Sequence, residues 1–329
     1  MVPYQNLIII KQVNGLKLYR ILVFILFILQ IPSTLLARGF EFKPGKEISI
    51  INFKYIDGLI ILPFKIEKKE VNLVLDTGIP NIILFEKFGS YGLKPETNKE
   101  ILFSGIGTGN LIKGKRVTEV NAEAENIIGS GLALLIIPQN NLSKNFKMKI
   151  NGLIGYDLFS RFLVTIDYVK RQLILTNPKS FKALDFYLQK ELILVDTKPY
   201  LKFNMNIPGV EEKEYSFFLD TGAGYDLMLL DNPYPEDKKK KYHHLGNGLS
   251  GNILGRLHLV DEIYFDDFYF NKFFVSVPFT STYMDNDLMK GRDGTLGGKF
   301  LHKFDKVVID YSNKKIYFQN GPLLAKKLK

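Results

Sequence analysis

The feature that most constrains this chain is a short motif that occurs twice. Residues 71–80 read VNLVLDTGIP and residues 215–224 read YSFFLDTGAG. Each time an apolar run ends in Leu-Asp and continues with Thr-Gly, and Asp76 and Asp220 lie 144 residues apart. A second pair of motifs follows in step: NGLIGYDLFSRFLVTIDY at 151–168 and DGTLGGKFLHKFDKVVIDY at 293–311. Asp76 precedes Gly155 by 79 residues and Asp220 precedes Gly297 by 77. Between the two motifs of each copy lies a glycine-rich stretch, SGIGTGN at 104–110 and LGNGLSGN at 245–252. Three features recurring in order at nearly constant offsets mark an internal duplication, which decides the fold before any local structure is considered. The expected organisation is one homologous lobe at 39–178, a linker at 179–195, a second lobe at 196–320 and a basic tail at 321–329.

Within each copy the local pattern is strand-like. ISIINFKYIDGLIILPFKI, EVNLVLD, NIILF and GLALLIIP are short apolar or alternating runs rich in Ile, Val and Phe, broken by Gly, Pro or Asn. YLKFNMNIP, YSFFLD, LHLVDEIYF and FYFNKFFVSVPF repeat the style. Helical patterning is confined to DLFSRF and KFLHKF after the second motifs, and to SFKALDFYLQK in the linker. The expected class is therefore all-β, two homologous β lobes with few short helices.

Composition narrows the function. In 329 residues, 46% are hydrophobic and 24% charged, which is the make-up of a globular chain able to bury a core in each half. The formal charge is +10, yet no Lys/Arg stripe is interleaved with aromatics, so nucleic acid is not an expected partner. The run DKKKK at 237–241 reads as a solvated loop. Lys11, Lys17 and Arg20 precede the apolar run ILVFILFILQI and a small-residue region ending at Ala37. That order is expected of a secretory signal at 1–37, with an uncleaved anchor as the alternative, and places the protein in the periplasm or outside the cell. Cysteine is absent, which excludes thiolate catalysis, thiolate metal sites and disulfide support.

A lone Asp-Thr-Gly after a strand is an ordinary turn. Two copies within a repeated frame suggest pairing, because equivalent loops of two lobes related by a pseudo-twofold axis can meet at that axis. Two adjacent carboxyls cannot both ionise cheaply, so they share a proton and supply an acid and a base together. One could then deprotonate a water while the other protonates a carbonyl oxygen. Thr77 and Thr221 would lock the loops through their hydroxyls, and Gly78 and Gly222 would let backbone amides approach the acids.

With LDTG and FLDTGA each followed by Leu153-Ile154-Gly155 or Thr295-Leu296-Gly297, the chain resembles the retropepsin and pepsin-type aspartic proteases, and within them bacterial exported members with two lobes in one chain. The resemblance spans about residues 45–320. It implies a pseudo-dimeric β fold, an Asp76/Asp220 catalytic dyad supported by Thr77, Gly78, Thr221, Gly222 and Ala223, and peptide bonds as substrate. The stretches holding Gly105 and Gly107, and Gly246 and Gly248, fall where that family places its substrate-covering hairpin. The implied protein is a monomeric aspartic endopeptidase with no metal or organic cofactor. The alternative is a non-catalytic, peptide-binding or scaffolding relative, to which Ile79, standing where Ala223 stands in the second copy, lends support.

Other motifs carry less. GNLIKGK at 109–115 has phosphate-loop spacing, but Arg116 replaces the magnesium-binding hydroxyl residue. His243, His244, His258 and His302 lack metal-ligand spacing. Asp167, Asp310 and Asp293 read as acids that anchor turns.

Overall fold

Period-two burial is visible along residues 48–52. Ser49 and Ile51 point inward and their neighbours Ile48 and Ile50 outward, the alternation that a sheet with one covered face requires. The computed structural model describes residues 38–86, 91–97, 99–103, 105–108, 111–137, 148–183, 187–208, 210–234, 242–279 and 291–319. The N-terminal segment read as a signal or anchor, the DKKKK run and the basic tail lie outside them. Among the described residues no helix is long and apolar enough to cross a membrane.

The protein is mostly β. Its first half runs through β1 (Gly39–Phe42), β2 (Ile48–Asn52), β3 (Lys54–Ile56), β4 (Leu59–Ile66), β5 (Lys69–Leu75), β6 (Ile82–Phe85), β7 (Ile101–Phe103), β8 (Ile112–Ala124), β9 (Ile127–Ile137) and β10 (Gly152–Ile154). A single helical turn, α1 (Tyr156–Phe159), leads into β11 (Leu163–Asp167) and β12 (Gln172–Thr176). The second half repeats the series as β13 (Tyr187–Glu191), β14 (Ile193–Val195), β15 (Lys198–Asn206), β16 (Lys213–Asp220), β17 (Leu227–Leu229), β18 (His243–Gly248), β19 (Gly251–Phe265), β20 (Phe268–Pro278) and β21 (Gly294–Gly297). It closes with α2 (Gly298–Leu301), β22 (Lys306–Asp310) and β23 (Lys315–Gln319).

Strand pairing shows the duplication directly. The neighbours run β3-β4-β5-β10-β6-β9-β8-β7 in one sheet and β14-β15-β16-β21-β17-β20-β19-β18 in another, and β4 pairs again with β8 as β15 does with β19. β1 adds to β9 without a counterpart in the second sheet. A third sheet, β13-β23-β22-β11-β12-β2, takes three strands from each half, with β11 and β22 antiparallel at its centre.

The two cores are filled differently. The first half packs aliphatic side chains such as Ile60, Leu62, Ile66, Leu73 and Leu75, whereas the second stacks Phe203, Phe217, Phe265, Phe270, Phe273, Phe300 and Phe304. Phe300 sits among Phe265, Phe270 and Phe304 at centroid separations of 5.5, 5.7 and 5.5 Å. These edge-to-face and tilted arrangements suit the ring quadrupoles.

Three local expectations fare differently. DLFSRF and KFLHKF do hold one helical turn each, beginning one residue earlier than those segments. The linker segment SFKALDFYLQK is not a helix where it is described. Pro178–Ser180 form a 3-10 turn and Tyr187–Glu191 are a strand, because they add to the edge of the shared sheet opposite Lys315–Gln319. Of GNLIKGK, residues 112–115 lie within β8.

Removing the Phe300 ring leaves a cavity at a fully buried position, so Phe300→Ala should lower the unfolding free energy by about 3–5 kcal/mol in urea titrations. Leu259→Ser, on the exposed face of β19, should change it by less than about 0.5 kcal/mol.

Candidate active site

Both Asp-Thr-Gly segments emerge from equivalent places. β5 ends at Leu75 beside the parallel strand β10, and β16 ends at Asp220 beside the parallel strand β21. Strands inside a parallel pairing are buried on both faces, which is why apolar runs precede each acid. The close packing depends on the glycine of each second motif. A Cβ on Gly155 would overlap the Asp76 carbonyl oxygen, and Asp76 N–H donates to the Ile154 carbonyl at 2.8 Å. Just upstream the register is fixed by a matched pair of polar bridges: Asn72 N–H donates to Asn151 Oδ1 at 3.0 Å and Ser216 N–H donates to Asp293 Oδ2 at 2.8 Å. Asp167 and Asp310 likewise occupy matched places, accepting from Lys170 N–H and Asn313 N–H in the turns after β11 and β22.

The two loops meet, and the threonines join them. Thr77 N–H donates to Thr221 Oγ1 at 3.1 Å and Thr221 N–H donates to Thr77 Oγ1 at 3.1 Å. Each hydroxyl then donates across to the strand before the other loop: Thr77 to the Leu219 carbonyl at 2.6 Å and Thr221 to the Leu75 carbonyl at 2.9 Å. Both threonines are buried, so these four bonds satisfy groups that water cannot reach.

The carboxyls sit at this junction. Gly78 N–H donates to Asp76 Oδ1 at 2.7 Å and Gly222 N–H donates to Asp220 Oδ1 at 2.9 Å. The Asp76 carboxyl also lies against the partner loop, since a Cβ on Gly222 would come within 2.6 Å of Asp76 Oδ2. Only glycine fits at 222. Burial and then the Asp220 charge push the Asp76 carboxyl well above the usual carboxylate range. Burial also raises Asp220, against the opposing pull of Arg292, the Gly222 amide and Lys198. The pair thus holds a proton to higher pH than a free aspartate and titrates as a unit.

Downstream, the loops are tied to the helical turns in the same way. The Ile79 carbonyl accepts from Tyr156 N–H at 3.2 Å and the Ala223 carbonyl from Gly298 N–H at 2.7 Å. Ile79, 5% exposed, packs with Leu59, Ile61, Val74, Ile83, Phe85, Ile137, Ile150 and Leu153. Its bulk is absorbed by this apolar cluster.

The glycine-rich stretches come together. Gly105 N–H donates to Ser250 Oγ at 2.9 Å, Ser250 N–H to the Ile106 carbonyl at 3.2 Å and Thr108 N–H to the Asn252 carbonyl at 3.1 Å. Gly107 abuts the Gly251 backbone, Gly248 abuts the Ile106 carbonyl, and Gly246 marks the register shift between β18 and β19. Leu249, at the tip of the β18–β19 hairpin, packs on the same apolar cluster as Ile79 and so links that tip to the first Asp loop.

Three groups beside the acids were not anticipated. Lys198 at the start of β15, Arg292 before β21 and Tyr225 after the second loop all feel the charge of Asp220. Burial, foremost, depresses the affinity of Lys198 and of Arg292 for their protons and raises that of the Tyr225 phenol. The signal that finds the two cations is a comparison of the halves, because Leu59 and Ile150 occupy their places in the first copy.

A scan against protein-family models and a search of curated proteins return no match to this chain. The geometry alone carries the functional reading.

Thr77→Val and Thr221→Val should each cost about 1–3 kcal/mol of stability, because each strands a buried amide and a buried carbonyl. The double variant should cost less than the two singles combined, since both remove one network. A denaturant-based double-mutant cycle measures this. Raised carboxyl affinity has a definite sign. A carboxyl protonated in the folded state and ionised in the unfolded state loses its favourable contribution as pH rises above the ordinary aspartate value. Asp76→Asn should therefore be more stable than the parent at pH 7, and the difference should close below about pH 4, as read from urea midpoints across that range.

Proposed function

We propose that this protein is an aspartic endopeptidase built as a pepsin-like pseudo-dimer, two retropepsin-like lobes in one chain, with Asp76 and Asp220 as its catalytic dyad. The observation that carries this reading is the reciprocal threonine lock, which brings two equivalent loops together with their carboxyls at the junction. Supporting it are the matched strand orders of the halves and the central sheet to which each contributes three strands.

The chemistry follows from one proton shared by two acids, as in other aspartic-protease pairs. The ionised carboxylate takes a proton from a water while the protonated partner donates its own to the scissile carbonyl oxygen. The hydroxide adds to the carbonyl carbon, giving a neutral geminal diol, and the dyad again holds one proton. Transfer of a proton to the amide nitrogen and collapse of the diol break the C–N bond and release an amine and a carboxylic acid. No covalent enzyme intermediate forms. The amides of Gly78 and Gly222 each hold one oxygen of their own acid, leaving the second oxygen of each for water and substrate.

The substrate in this reading is an extended peptide or protein segment, bound in a cleft bordered by the glycine-rich stretches at 105–108 and 245–252. The protein acts as a monomer, since both halves of the dyad come from one chain, and its N-terminal segment directs it to the periplasm or the outside of the cell.

Asp76→Asn and Asp220→Asn should each abolish cleavage of a denatured protein substrate while leaving the far-UV circular dichroism spectrum intact. Full activity in either variant contradicts the dyad. A statine-type peptide should inhibit, because its hydroxyl mimics the added water in the diol. Peptide binding without cleavage by the parent protein would instead identify a binding relative.

A further inference from the structure

The two Asp loops match at their acids but are held differently just downstream. After Asp76, the side chain of Ile79 is buried in the apolar cluster of its own half, and the next residue, Pro80, is exposed. After Asp220 the corresponding residues are Ala223, with a single methyl group, and Gly224, with none. What holds the second loop comes from the first half.

β3 and β4 pair Ile56 with Leu59, which leaves Asp57 and Gly58 as a two-residue turn. Their φ angles are 52° and 91°, the positive pair that an Asp-Gly hairpin turn adopts. This turn carries its two carbonyls into the second half. A Cβ on Gly224 would overlap the Asp57 carbonyl oxygen, and a Cβ on Gly298, the first residue of α2, would overlap the Gly58 carbonyl oxygen. A Cβ on Gly58 would itself stand 2.9 Å from Gly224 Cα and 3.0 Å from Lys299 Cγ. Three glycines thus let backbone meet backbone across the halves, and Gly298 N–H donates in turn to the Ala223 carbonyl at 2.7 Å. Tyr55 clamps the turn from the side. Its hydroxyl donates to the Gly298 carbonyl at 3.4 Å, and its ring stacks on His302 with 4.3 Å between centroids and 9° between planes.

The contact has no twin. Strand register matches Ile56 and Leu59 with Val195 and Lys198, so Tyr55 corresponds to Leu194 and Gly58 to Thr197. The paired motifs match Gly224 with Pro80 and Gly298 with Tyr156. With a side chain at all three of the glycine positions, the same backbone approach is closed to the turn of the second half.

We infer that the Asp57–Gly58 turn is a cross-half brace, and that Gly58, Gly224, Gly298 and Tyr55 are positioning residues that set where Asp220 stands relative to Asp76. The catalytic consequence rests on the peptidase reading above; the effect on the two acids does not. The threonine lock ties the loops at residues 77 and 221. Gly222, whose amide holds the Asp220 carboxyl, lies between that lock and the braced Gly224, so a displaced turn moves the donor and its acid with it.

Gly224→Ala and Gly298→Ala should each lower kcat on a denatured protein substrate by about tenfold or more while KM moves by less than about twofold, because misplacing a reacting group costs rate rather than binding. In carbon-13 spectra of carboxyl-labelled protein, the upper titration step of the acid pair should fall by about one pH unit toward the ordinary aspartate value, because acids held farther apart repel less. Gly45→Ala is the control: at a φ of 74°, where a Cβ would meet nothing within 4 Å, it carries backbone strain without the contact and should change neither reading. If circular dichroism shows that both alanine variants fail to fold, Tyr55→Leu replaces them. It copies Leu194 and removes the stack and the hydroxyl without adding bulk, and it should move the upper step in the same direction. A parent that cleaves nothing, but whose upper step falls in the folded variants, supports the brace and places the failure on the peptidase reading. An upper step that stays or rises in the folded variants, or that falls equally in Gly45→Ala, overturns the brace whether or not peptides are cleaved.

Discussion

The lock between Thr77 and Thr221 is the interaction on which the rest of this structure depends. Two hydroxyls and two amides from loops 144 residues apart satisfy one another in a buried place, and each hydroxyl also reaches the strand before the opposite loop. Such a network tolerates little displacement, because any separation leaves buried donors and acceptors without partners. It therefore fixes the spacing of the two acids more tightly than either half could alone. The parallel pairings of β5 with β10 and of β16 with β21 hold each loop from behind.

Symmetry explains the economy of the arrangement and also what breaks it. A backbone duplicated in one chain can diversify its halves separately, unlike a homodimer, in which every substitution appears twice. The two cores show this, one aliphatic and the other largely phenylalanine, around the same strand order. Next to the acids the divergence becomes chemical. Leu59 and Ile150 give way to Lys198 and Arg292, so the field across the junction is lopsided even though the loops themselves match. Those cations favour the ionised form of a carboxyl while burial and the second acid oppose it, and the net result is a pair that retains a proton.

Much of this was legible from residues alone, and the reasons are specific. The Asp-Thr-Gly motifs and the glycines at 155 and 297 recur because close backbone approach leaves no alternative residue, so periodicity in sequence reports periodicity in space. The strand content followed from short β-branched and aromatic runs. What was not legible depended on distant partners. Tyr187–Glu191 has a helical pattern of its own, but it finds the open edge of β23 and becomes a strand. Nothing in its own segment accounts for Ile79, because the residues that pack with it, Leu59, Ile150 and Leu153, are distant in the sequence. Lys198 and Arg292 carry no motif. Their significance appears only when each residue of the second half is set against its counterpart in the first.

The central claim is that Asp76 and Asp220 form one proton-sharing pair. Carbon-13 NMR of protein labelled at the aspartate side-chain carboxyl carbons, assigned with the two Asn variants and followed from pH 2 to pH 9, tests it most directly. The account predicts two coupled steps, with one proton retained by the pair well above the ordinary aspartate value of about 4. Two independent transitions, both near that ordinary value, would contradict it.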